Sequence, residues 1–547
     1  MKIKNIYKII LLSCIALACD DNLEITPSSS VIPEDYLKEE SQLDSYIINR
    51  YTDLPNAGGG VGLDNGTDNE AAMSYSTLYT EGDWKVGESG GDWNFETIYQ
   101  INYFLEKVVP AYKNNEIQGI KENIEHYIGE AYFFRALAYF NKLQALGDFP
   151  IVRNTFVDEL QPLVEASKRM PRNEVARFII SDLDSAAMLM KPTAPDGKKN
   201  RMYKDIAYLM KSRVALFEGT WLKYFKGTPF VPNGEGWPGA SKEYNRGYEY
   251  PSGNIDNEIK WFLEQAITSA DMIASKYPLT ENNSVLMQGI ADSNPYVEMF
   301  SVPDMSGYEE ILLWRDFDRG KGINHNRPVD GGTTCTGIGL TRGMVQCYLM
   351  NDGLPYYASP LYKGDNSSQE IVENRDDRIR LFLKQPRMVN IWLNVGQGTH
   401  GNPVEAEVPD ITNGSPQYRY NTGYQCRKYW YWDHTYCNNW QGDTGVSIFR
   451  AAEAYLNYIE AYYECYGNLD GKADQYWRAL RRRAHIEEDY IKTIQATDIQ
   501  KEAELDWAAY SGGQVLSDAT LFNIRRERRN EFLSEGFRSS DLKRWRS

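Results

Sequence analysis

The stretch IKENIEHYIGEAYFFRALAYFNKLQAL, Ile120 to Leu146, reads as one long helix. Ile124, Ile128, Ala131, Phe134 and Ala138 recur at three-and-four spacing, so they share a face. Tyr132, Phe133, Ala136, Leu137 and Phe140 widen that face. A helix apolar over so broad an arc has to be covered on more than one side. Gly147-Asp148 ends the pattern, and Pro150 prevents its resumption.

The same period predicts helices over Trp93–Val109, Arg177–Met190, Lys204–Tyr224 and Ile255–Lys276. It predicts a pair, Val446–Tyr466 and Asp474–Ala484, around Gly467-Asn468 and Gly471, and a last helix within Leu521–Ser534. Ala131, Ala136, Ala207, Ala215, Ala451, Ala454 and Ala461 are small residues where such helices would cross. Small-to-large alternation on paired helices is the packing of tetratricopeptide-type repeats, whose period of about 34 residues is here broken by insertions. The expected fold is therefore mostly α: a tetratricopeptide-like helical repeat scaffold with long irregular loop insertions. Pro55–Gly91 is rich in Gly, Asp and Asn; Gly227–Gly253 holds Trp237, Tyr244, Tyr248 and Tyr250; Pro386–Asp443 carries many aromatics. Loops of this length in compact domains tend to be functional.

Composition removes several function classes. The 547 residues carry 59 Lys and Arg against 76 Asp and Glu, a formal charge of −17, which argues against nucleic-acid phosphates. At 42% hydrophobic and 25% charged, neither a disordered chain nor a multi-pass membrane protein fits. The five histidines, at 126, 325, 400, 434 and 485, are scattered, and no C-x-x-C occurs, so no metal or cofactor is implied. There is no G-x-S-x-G nucleophile elbow. Asp316 and Asp318 offer a carboxylate pair, but no motif singles them out as glycosidase residues. Asp64-Asn65-Gly66-Thr67-Asp68-Asn69-Glu70 is rich in oxygen ligands without EF-hand spacing, and reads as a solvated loop.

The chain opens as a secretory signal over residues 1–18: Lys2, Lys4 and Lys8, then the ten apolar residues Ile9–Ala18, too few to span a bilayer. Ile15-Ala16-Leu17-Ala18-Cys19 is similar to a bacterial lipobox, with Cys19 as the lipidated residue. Residues 19–30 read as a polar tether. Of the remaining cysteines, Cys335, Cys347, Cys426, Cys437 and Cys465, the odd number leaves at least one free thiol. Cys426 and Cys437 either close a short loop or stay reduced and buried.

Five motifs in order then carry a resemblance. They are Leu23-Glu24-Ile25-Thr26-Pro27; Glu130–Phe140 followed by Gly147-Asp148-Phe149-Pro150; Asn374-Arg375-Asp376-Asp377-Arg378-Ile379; Arg450–Ala461; and Glu527-Arg528-Arg529-Asn530-Glu531-Phe532 with Glu535-Gly536-Phe537-Arg538 and Asp541–Trp545. Together they resemble the RagB/SusD family of surface glycan-binding lipoproteins from Cys19 onward. In the third motif Asp377 stands where the family has proline, and the family's chains usually run some tens of residues beyond the final Trp. The resemblance implies that residues 31–547 form a single domain with ligand-binding insertions at about 55–91, 227–253 and 315–445. It implies a partner, a SusC-like TonB-dependent outer-membrane transporter, and an oligosaccharide ligand. A receptor for peptide or another nutrient, and a surface glycoside hydrolase, are the alternatives. Glu453, Glu460, Arg528, Glu531, Glu535, Arg538 and Asp541 are expected to form buried or half-buried ion pairs that fix helix register, because the planar guanidinium suits bidentate pairing.

Sugar rings have apolar faces and polar rims, so the matching surface is an exposed aromatic edged by Asp, Asn and Arg. The resemblance places it on the insertions. Candidates are Trp84 with Asp83, and Trp93; Trp314 with Arg319, Asn324 and His325; and Trp392, Trp430, Trp432 and Trp440. Trp84, in its Gly/Asp-rich setting, is the leading one.

Overall fold

A computed structural model describes residues 36–55, 62–74, 91–289, 291–332, 334, 337–395 and 401–547. Cys19, the signal and the tether lie outside the described residues, as do Asp83, Trp84 and Cys335.

The long helices are α1 (Glu96–Lys113), α2 (Lys121–Leu146), α3 (Arg172–Leu189), α4 (Lys204–Tyr224), α5 (Ile255–Ala274), α6 (Ala452–Tyr466), α7 (Gly471–Arg483), α8 (Ala519–Glu531) and the short α9 (Arg538–Arg544). From α1 to α7 each packs on the next, and α6 also meets α4 and α8. This is the expected helical-repeat layer, and α2 lies between α1 and α3 as its wide apolar arc requires. Gly129 on α2 permits the contact: a Cβ there would stand 2.8 Å from Met190 Cγ and 3.2 Å from the Ala186 carbonyl.

Local chemistry moves several boundaries. Val446–Arg450 is a strand, β6, antiparallel to β2 (Ile311–Arg315), and α6 starts only at Ala452. Val446, Ile448 and Phe449 suit a pleated surface better than a helix. α3 begins five residues before the expected Arg177, after Pro171, whose fixed φ suits a helix entry. Asp470 and Asp518 cap α7 and α8, so both begin ahead of the expected start. Trp93 falls in a short 3-10 turn before α1 instead of opening the helix.

The second layer is the insertions. It holds two-stranded ribbons, β1 (Glu70–Ala72) with β3 (Ile338–Leu340), and β4 (Val389–Leu393) with β5 (Asn402–Glu405). It has its own core around Tyr296, Phe300, Met344, Phe382 and Leu533. The expected ion pairs between helices are present, buried or half-buried, and one of them, Arg538 with Asp68, reaches into the insertion layer. Arg213 pairs with Glu453, Arg544 with Glu460, Arg528 with Asp541, and Arg538 with Asp68 and Asp506.

Asp64–Glu70 departs from its reading as a solvated loop. Asp64, Asp68, Asn69 and Glu70 are buried. The reason is far along the chain: Asp64 accepts from the Ser534 and Gly536 N–H groups, and Arg529 donates to Asn69 at 2.8 Å. Oxygen-rich residues have here found internal donors in place of water. Cys347, Cys426 and Cys437 are buried free thiols and Cys465 is a half-buried one, so the Cys426–Cys437 loop is not closed. Among the described residues no helix is long and apolar enough to cross a membrane, and no group of three or more His, Cys, Asp or Glu is placed to hold a metal ion.

Candidate functional site

His325 and Gly442 form an isolated antiparallel bridge, with the His325 N–H donating to the Gly442 carbonyl at 2.8 Å. The bridge brings the Trp314–His325 candidates against the Trp430–Trp440 group. His325 is fully buried, so burial draws its pKa down to about 4. Its two contacts define one neutral tautomer: Nδ1 accepts from the Arg327 N–H at 3.2 Å, leaving Nε2–H to donate to the Thr444 carbonyl at 2.8 Å. His325 is thus a pin holding two loops together, not a ligand for sugar.

Outside this pin lies a shelf. Trp440 is 57% exposed. Its φ of +55° is unusual for a bulky residue and is retained because Asn326 Oδ1 accepts the Trp440 N–H at 2.6 Å. Asn326 in turn donates to Asn439 Oδ1 at 2.9 Å. Beside them the exposed Arg319 lies 5.1 Å over the Tyr436 ring and donates to the Thr435 carbonyl at 2.9 Å. Its Nε is 3.5 Å from Asp443. An exposed indole, a half-buried phenol, a guanidinium and two amides therefore share one surface, with the half-buried Asn324 near by in the chain. That is the apolar face with polar rim that a pyranose matches.

The remaining candidates are corrected by their burial. Trp314 is buried in β2 and donates Nε1 to the Lys198 carbonyl at 2.6 Å. Trp430 is fully buried, with the Arg427 guanidinium 3.7 Å over its ring. Trp432 is buried, and its carbonyl accepts from the Trp392 N–H. Trp392 is half-buried, its Nε1 donating to the Gln288 carbonyl at 2.8 Å. Trp93 stacks on Phe149 at 6.0 Å under Arg169, away from the shelf on the helical layer. These indoles fill gaps between loop and core, and none offers an open ring face like that of Trp440. Sequence reasoning misses Asn326, Tyr436 and Asn439; the run of Asn and aromatic residues at Tyr436–Trp440 is the signal that points to the last two.

Comparison with known proteins bears on the same architecture. The model of the SusD family matches residues 314–547, and a second model, described as starch-binding associating with outer membrane, matches residues 21–216. The chain belongs to the SusD/RagB family. It is 26% identical over 244 residues to SusD-like protein P25 of Formosa agariphila; that match takes in 40% of this chain and spans 44% of the relative's length. Among solved structures, a SusD-like protein from Bacteroides fragilis superposes with a TM-score of 0.60 at 18% identity, covering 93% of this chain and 86% of that one. A SusD-like carbohydrate binding protein from the same species gives 0.58 at 16% identity, covering 93% and 86%. At such identities the likeness is one of fold.

Proposed function

We propose that this SusD-family chain is an outer-membrane lipoprotein that binds oligosaccharide and passes it to a SusC-like TonB-dependent transporter, without catalysis. The carrying observation is the Trp440–Tyr436–Arg319 shelf on the insertion layer. About 100 Å² of sugar face laid on one indole contributes roughly 2.5 kcal/mol. With the hydrogen bonds of Arg319, Asn326 and Asn439, and the cost of association, dissociation constants of order millimolar to micromolar follow. That range suits capture followed by release. Trp84 and Asp83, on the first insertion, stay in the proposal as a further contact.

Affinity electrophoresis against a panel of polysaccharides tests this. At least one should retard the protein, and Trp440→Ala should weaken retardation about 10- to 100-fold in affinity, as expected for losing about 1.4–2.8 kcal/mol. No retardation by any polysaccharide refutes the receptor; full retardation of Trp440→Ala moves the site elsewhere, with Trp84→Ala the next variant. The anchor is tested separately. Cys19→Ser should shift the protein from the membrane fraction to the soluble one, because the acyl chains are the attachment. Continued membrane retention would remove the lipid anchor.

A further inference from the structure

Between the helical layer and the insertion layer lies a cavity of about 320 Å³, at the small end of ligand pockets. Its charged walls are almost completely paired. Arg213 gives Nε and Nη2 to Glu453 at 2.6 and 2.7 Å. Arg450 is held by Glu310, Glu531 and Glu535, and Glu535 also takes Lys428. Each wall carboxylate thus already has a cation.

Arg327 is the exception. It is 4% exposed and lines the cavity. Its guanidinium sits 4.2 Å over the Tyr429 ring, which satisfies one face and none of the in-plane donors. Nε is buried without an acceptor. Burial pulls its pKa below the usual arginine value, yet a guanidinium so placed remains charged. The nearby Glu535 is already shared by Arg450 and Lys428, a buried cation without a carboxylate of its own is costly, and the planar fork is the shape that takes a carboxylate or a sulfate through two parallel hydrogen bonds. The side chains of Asn141, Ser447 and Ser540 line the same cavity and can meet hydroxyl groups.

We propose that this cavity binds a small molecule bearing a carboxylate or sulfate group, anchored by the Arg327 fork. The site is separate from the Trp440 shelf: Asn326 supports the shelf, and the next residue turns inward.

Isothermal titration calorimetry of the full chain with D-glucuronate, with sodium sulfate and with D-glucose tests it. Glucuronate or sulfate, or both, should bind, and glucose should not; which anion binds distinguishes a carboxylate ligand from a sulfate one. Arg327→Met and Arg327→Gln should weaken that binding at least 10-fold while leaving the melting temperature unchanged or higher, since an unpaired buried charge is removed. Trp440→Ala should leave it unaltered, so loss of polysaccharide retardation and loss of anion binding report on different sites. The proposal is overturned if neither anion binds, if both Arg327 variants bind as the natural chain does, or if both fail to fold.

Discussion

Arg450→Met should lower the stability of the chain by roughly 3–5 kcal/mol, the usual cost of breaking a buried ion network by removing one partner. Arg450 ends β6 and reaches three carboxylates: Glu310 at 3.0 Å, Glu531 at 2.7 Å and Glu535 at 2.7 Å. Glu310 and Glu531 are fully buried. Arg483 shares both, at 2.8 Å and 2.5 Å, and Lys428 shares Glu535. With methionine in place the volume is nearly kept, but the three acids are left with fewer cations. Arg483, Arg450, Arg378 and Lys428 together hold the Glu531 carboxyl well below the usual carboxylate range, against a large burial penalty. Removing Arg450 weakens that hold, so Glu531 and Glu535 should take up protons more easily. The loss should therefore be greatest near neutral pH and shrink as the acids protonate. Guanidinium unfolding midpoints of the natural chain, Arg450→Met, and Arg450→Met combined with Glu535→Gln give the measurement. The double variant should recover part of the loss, because one unpaired acid has been neutralised. A shift equivalent to less than about 1 kcal/mol in the single variant would show that the network adds little beyond packing.

Part of this network is legible in the amino-acid sequence alone. Its acids Glu531 and Glu535 are expected to pair, because acids on apolar helices have few outcomes besides burial with a cation, whereas Glu310, Lys428 and Arg483 lie outside every motif and join only through the fold. The long helices are legible for a similar reason. Their apolar period is local, and so are the stops at Gly147 and Gly467, where φ is +73° and +70°. The shelf proposed as the binding surface is not legible. Trp430, Trp432 and Trp440 share one short, aromatic, polar stretch, and nothing local says which indole is turned out. The turn is decided by Asn326 accepting the Trp440 N–H, a contact across 114 positions that depends on the His325–Gly442 bridge. Likewise, Val446–Arg450 pairs across the fold with Ile311–Arg315 instead of continuing a helix. Asp64–Glu70 looks solvated because its partner Ser534 lies 470 positions from Asp64.

That misread loop yields the second large effect, Glu70→Gln. Glu70 is fully buried beside Asp64, accepts the Asp64 N–H at 3.0 Å and meets the Ser534 hydroxyl. Burial first, and the neighbouring Asp64 second, push its pKa up to about 8. No cation offsets this: the arginines of the neighbourhood, Arg529 and Arg538, are taken by Asp68 and Asp506. The sign follows from proton counting. Below about pH 4.5 the carboxyl is protonated in both folded and unfolded chains and costs nothing. Between there and pH 8 the unfolded chain releases the proton while the folded chain keeps it, so stability falls by about 1.4 kcal/mol for each pH unit from this group alone. Above pH 8 the contribution levels off at a penalty on the order of a few kcal/mol. Glutamine resembles the protonated acid in size and keeps an oxygen for the Asp64 N–H, so the variant should be more stable than the natural chain at about pH 8 and equal to it near pH 4. Melting temperatures of both chains across roughly pH 4 to 9 should diverge with rising pH. Parallel curves would mean that Glu70 ionises normally in the folded chain, and that the contact joining Glu70 to Ser534 is looser than its geometry indicates. Because β1 leads into the insertion that carries Asp83 and Trp84, a chain opened at this contact should also lose any sugar affinity those residues supply. Binding measured at about pH 6 and about pH 9 on the natural chain and on Glu70→Gln would separate that effect from a change at Trp440.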